Sequence, residues 1–131
     1  MKGNPTKKLR IAVWHNLPSG GGKRQLYYHV KGLMERGHTV ESWCPDSADQ
    51  KYLPLSSVTR EHVLPLEMRD GLNDSPWPLN TVRALTRAME EHSGLCAKQI
   101  NNGEFDVLYA NACVWFRTTP IARYVNLPSA L

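Results

Sequence analysis

The chain has 131 residues, a formal net charge of +4, and 41% hydrophobic against 21% charged residues, which bounds it to one globular domain, residues 1–131, large enough to bury a core. No apolar run approaches the roughly 20 residues needed to span a bilayer, and no signal peptide precedes the first apolar segment, so a cytoplasmic location is expected. Basic residues are scattered without interleaved aromatics, which argues against a nucleic-acid partner; an acidic small molecule, or peripheral contact with an anionic membrane surface, fits this charge better.

Leu9 to Trp14 is an apolar run that reads as a first strand. A helix is expected from near Lys23, with Leu26, Val30, Leu33 and Met34 on one face and Gly37 as its C-terminal stop. Thr39 to Cys44 alternates and ends at Pro45, a second strand. Strand, helix and strand in so short a span form a parallel, right-handed βαβ unit. Pro45 to Ser57 is a loop by composition, and His62 to Leu66 is a short edge strand, where Pro65 costs least. Asp70 to Pro78 is again a loop. A long helix follows, capped by Asn80 or Thr81 and ending near Asn101, with Val82, Leu85, Met89, Cys96 and Ile100 on its buried stripe. His92 shares that face and reads as a satisfied core residue. Phe105 to Asn111 is a fourth strand, apolar enough to be buried on both faces. A shorter helix over 114–124 and the start of a fifth strand at Pro128 complete the pattern. The expected fold is α/β, a Rossmann-like open parallel sheet in the order 3-2-1-4, with helices on both faces.

Gly20, Gly21 and Gly22 stand at the turn from the first strand to the first helix. Without Cβ atoms the backbone can approach a ligand closely, and the helix start directs free N–H groups and the positive end of its dipole at it. The matching ligand is an anion, a phosphate or diphosphate; the competing reading is a tight turn with no ligand. The turn is not a P-loop, because Arg24 follows Gly22-Lys23 and Leu17 stands where the first glycine is required. Nor is it the dinucleotide fingerprint, since Glu41 alternates within the second strand and Asp46 lies beyond Pro45. Cys44, Cys96 and Cys113 show no ligand spacing among themselves, so buried free thiols are expected, with no metal and no cofactor.

Arg10-Ile11-Ala12-Val13-Trp14, Gly20-Gly21-Gly22, Leu33-Met34-Glu35-Arg36-Gly37-His38-Thr39-Val40 and Phe105-Asp106-Val107-Leu108, in that order, resemble the N-terminal domain of family 4 retaining glycosyltransferases of the GT-B type. The resemblance implies an acceptor-side domain that works with a C-terminal donor-binding domain outside these residues. Its substrates are a nucleotide-sugar diphosphate and a sugar-bearing acceptor. It puts the donor diphosphate on Gly20, Gly21 and Gly22. Asn111 stands where many relatives carry a histidine; an amide can hydrogen-bond a sugar hydroxyl but cannot act as acid or base. The isolated chain is accordingly expected to be inactive, and no catalytic residue is assigned. The alternative is a stand-alone Rossmann-like anion-binding or interaction module without catalysis.

Among other candidates, His15 falls at the carboxyl edge of the sheet, as a hydrogen-bonding group for substrate or as loop packing. Lys23 and Arg24 either neutralise phosphate or stand solvated at the helix start. Arg117 and Arg123 read as a solvated or interdomain face, and Trp43, Trp77 and Trp115 as sugar-stacking or, more commonly, packing groups. His38 is expected to shape the turn into the second strand.

Overall fold

A computed structural model describes residues 8–17, 19–66, 79–111 and 121–130; the expected loop over 70–78, the first part of the helix over 114–124, and Trp77, Cys113, Trp115 and Arg117 lie outside them, as do the side chains of 79–82. The elements are β1 (Arg10–Trp14), α1 (Gly21–Glu35), β2 (Thr39–Pro45), a 3-10 turn (Leu55–Ser57), β3 (Arg60–Leu64), α2 (Leu79–Asn102), β4 (Val107–Ala110), α3 (Ile121–Tyr124) and β5 (Ser129–Ala130). All strands pair parallel, in the order β3-β2-β1-β4-β5. The expected order is therefore present, with β1 interior and β3 at an edge.

Period-two alternation in β1 divides the core into two layers. Ile11 and Val13 pack with Leu26 and Val30 of α1, Val40 and Leu55. Ala12 and Trp14 face the other way, onto Met89, Cys96, Ala97 and Ile100 of α2 and Ile121 of α3. A parallel sheet covered on both faces in this way accounts for the nearly continuous apolar run of β1.

Local chemistry fixes the ends of α1. Arg24 N–H donates to Gly20 O at 3.0 Å, so Gly21 and Gly22 already belong to the first helical turn, ahead of the expected start at Lys23. At the other end Gly37 adopts φ 92°; His38 N–H donates to Leu33 O at 3.1 Å and Gly37 N–H to Met34 O at 3.0 Å. This is the Schellman arrangement that a glycine at C′ permits. His38 Nδ1 then accepts the Leu9 N–H at 3.0 Å, tying the turn back to the start of the sheet. Met34 departs from the expected stripe and is exposed. The third strand is shifted two residues earlier than expected and stops at Leu64, opposite Pro45.

Candidate functional site

The carboxyl ends of β1, β2 and β4 form an edge: His15 and Asn111 lie just beyond β1 and β4, Gly20 is the N-cap of α1, and Gly21, Gly22 and Lys23 lie in its first turn. His15 N–H donates to Trp43 O at 3.1 Å and Asn111 N–H to Trp14 O at 2.9 Å, so His15 and Asn111 continue the β1–β4 register side by side. Asn111 is half-buried, and its Nδ2 is buried without an acceptor among the described residues.

Gly20 adopts φ 140° and ψ −162°. Gly20, Gly21 and Gly22 are exposed, and a Cβ built on Gly20 or Gly21 would meet nothing within 4 Å. Among the described residues no side chain caps the helix start, and no acidic residue occupies its first turn. The early N–H groups therefore keep their donor capacity, beside the positive end of a 15-residue helix.

Two residues expected to meet a ligand sit below this surface. Lys23 is fully buried, and its ammonium donates to Asp49 O at 2.8 Å instead of reaching the exposed glycines. His15 is likewise fully buried, with Nε2 2.8 Å from Glu61 Oε2. Ser42 Oγ–H donates to the same oxygen at 3.0 Å. Burial alone would raise the Glu61 carboxyl, but the hydrogen bond and charge of His15, the Ser42 hydroxyl and the Lys23 ammonium together hold it below the usual carboxylate range. Ionised Glu61 is acceptor-only, so His15 is the donor through Nε2–H. His15 Nδ1 and Glu61 Oε1 are both buried without a hydrogen-bond partner among the described residues.

Cys44, also buried, joins this group: one ligand-type atom each from His15, Cys44 and Glu61 lies within 4.8 Å of the others. Burial, and then the charge of Glu61, push its thiol up to about 12. Glu61 and Ser42 were not singled out from the sequence, and Cys44 was taken as an ordinary buried thiol. The contact that links His15 to Glu61 spans 46 positions, so local spacing carries no sign of it.

His92 has the core role expected of it. It is buried, accepts the Trp14 indole N–H through Nε2 at 3.0 Å, and donates through Nδ1 to Pro65 O at 3.2 Å. Trp43 also packs in the core, with its ring stacked on His62 and its N–H bonded to Gln99. Arg24 is exposed beside Tyr52, and Arg123 is exposed 3.9 Å from Glu90. A groove of about 420 Å³ opens between α1 and β4, lined by Tyr28, His29, Gly32, Leu33, Arg36 and Tyr109; none of the sequence-derived site residues lines it.

No family model and no curated protein sequence matches the chain. Its fold is similar to that of two solved structures. The C-terminal domain of a Pyrococcus furiosus hydrogenase, residues 78–226, is similar over 98% of this chain and 94% of that chain, with a TM-score of 0.59 and 15% identity. A second structure of that domain, residues 83–215, is similar over 99% and 98%, with a TM-score of 0.56 and 14% identity. At such identities the likeness establishes the α/β Rossmann-like open sheet and nothing about chemistry. No described helix is long and apolar enough to cross a membrane.

Proposed function

We propose that the chain is the acceptor-side domain of a sugar-nucleotide-dependent retaining glycosyltransferase, whose glycine turn receives the diphosphate of the donor. The observation that carries this reading is the bare start of α1: three exposed glycines, no capping side chain and no acidic residue in the first turn. Backbone donors and the helix dipole suit a diphosphate, and the missing Cβ atoms let its oxygens come close. Asn111, just beyond β4, has an amide nitrogen without a partner among the described residues, which suits a sugar hydroxyl. Lys23 and His15 support the edge from beneath: Lys23 pins the loop at Asp49, and His15 pairs with Glu61.

Titration with a nucleoside diphosphate, followed by amide NMR shifts, tests the reading. The expected shifts cluster on Gly20 to Arg24. Gly21→Val abolishes them by filling the approach, while the fold persists, because a Cβ at position 21 meets no neighbour within 4 Å. Shifts clustering in the Tyr28–Tyr109 groove, or a Gly21→Val variant that binds like the parent, would remove the physical support for a transferase.

A further inference from the structure

The sequence spacing of the cysteines shows no metal pattern, yet the sheet assembles a donor set from three separate segments. His15 follows β1, Cys44 lies in β2 and Glu61 lies in β3. Parallel pairing sets His15 and Cys44 at the carboxyl ends of β1 and β2 and Glu61 opposite Ser42, and the ligand-type atoms of the three lie within 4.8 Å of one another. The side chains of His15 and Glu61 are 0% and 1% exposed. Burial of an imidazole and a carboxylate is costly unless their polar atoms are satisfied. Among the described residues two are not: His15 Nδ1 and Glu61 Oε1 have no hydrogen-bond partner.

We propose that His15, Cys44 and Glu61 form a binding site for a single divalent zinc ion, with a fourth coordination position left open. Imidazole nitrogen, thiolate sulfur and carboxylate oxygen are the three donor types that zinc accepts, and three protein ligands with one open position is the pattern of zinc sites that also bind water or substrate. The His15–Glu61 separation of 2.8 Å is a hydrogen-bond length. Two ligands of a tetrahedral ion stand roughly 3.3 Å apart when each bond is about 2.0–2.1 Å, so loading opens this pair by a few tenths of an ångström. Loading takes one zinc ion in and sends the Cys44 thiol proton out. The proton that His15 Nε2 donates to Glu61 leaves that nitrogen, moving to Nδ1 from a neutral ring or to solvent from a charged one, and Glu61 binds ionised. Lys23 acts in two directions: its nearby ammonium favours the anionic, metal-binding forms of Glu61 and Cys44, and it repels the dication itself. Its hydrogen bond to Asp49 O holds that charge on the loop. Selectivity for ions that bind thiolate, over magnesium or calcium, follows from the donor set. The site shares His15 and its neighbour Lys23 with the edge described above, but zinc binding there does not depend on the transferase reading, and its test involves no nucleotide.

The test uses the untagged chain, stripped with chelator and titrated with zinc against a chromophoric competitor, and in parallel with cobalt(II). One zinc per chain, release of a proton and a thiolate-to-cobalt charge-transfer band are the expected results. Cys44→Ser removes the band and weakens zinc at least tenfold; Glu61→Gln, which preserves size and hydrogen bonding, weakens zinc while leaving the band. Cys96→Ala, in the opposite core layer, leaves both unchanged. A wild-type chain that takes up no stoichiometric zinc, or whose cobalt complex lacks the thiolate band, overturns the site without any variant having to fold. So does a band that survives Cys44→Ser.

Discussion

At Gly20 the backbone takes φ 140° and ψ −162°, a region closed to residues with a Cβ, while at Gly21 the chain is already helical and open space surrounds the α-carbon. The two neighbours therefore answer differently to the same substitution. Gly20→Ala is expected to lower stability by about 1–3 kcal/mol through backbone strain. Gly21→Ala is expected to be neutral or to stabilise by at most about 1 kcal/mol, since alanine is the better helix residue. Urea denaturation of the two variants measures the difference. Equal stability would mean that the turn is not held in the conformation that shapes the cradle. The presence of this turn was legible from three glycines between an apolar strand and an amphipathic helix. The fate of Lys23 was not: its burial depends on Asp49, 26 positions away, and no local pattern reports that contact.

Between elements, Trp14, His92 and Pro65 join β1, α2 and the segment after β3 through one chain of hydrogen bonds. The indole can only donate and the carbonyl can only accept, so His92 is neutral, with its proton on Nδ1. Burial lowers its pKa from 6.5, only partly opposed by the Pro65 carbonyl and the charge of Asp46; the Cys96 thiol, 3.4 Å from Nε2, is its other titratable neighbour. Below about pH 6.5 the unfolded chain binds a proton that folded His92 refuses, so this contribution is intact above that pH and is lost as pH falls toward the folded value. The slope from this one group is at most about 1.4 kcal/mol per pH unit. Urea melts at about pH 7.5 and about pH 5 are expected to show a smaller loss for His92→Gln, which offers an acceptor and a donor without titrating. An equal loss in both proteins would assign the acid sensitivity elsewhere. The long helix and His92's place on it were readable from a 3.6-residue period. The bounds of β3 were harder to read, because apolar Val63 to Leu66 draws attention from polar Arg60 and Glu61, which take up the edge pairing. The strand stops at Leu64, before Pro65, which has no N–H to offer the ladder.

For the molecule as a whole, the order of β2, β1 and β4 followed from one βαβ unit and the handedness of parallel crossovers, both visible in the sequence. The grouping of His15, Cys44 and Glu61 was not visible, because it exists only once three strands are aligned. That alignment also limits what the chain can do alone. One sheet supplies one wall of a cleft, so a diphosphate on the glycine turn stays open to water and to salt that screens it. Binding of a nucleoside diphosphate is expected at millimolar affinity at best, on the order of 4 kcal/mol, and it weakens as salt is added. The 131 residues by themselves are expected to transfer no sugar. In the proposed reading the glycine turn and Asn111 hold parts of substrates, but Asn111 offers neither acid nor base, and the His15–Glu61 pair is buried. Incubating the purified chain with a nucleotide-sugar and candidate acceptors, with diphosphate release as readout, checks this. Transfer above background would place a complete catalytic apparatus within these residues and end the division of labour between acceptor and donor domains. Submicromolar, salt-insensitive binding would mean that the anion is enclosed, which an open helix start cannot achieve.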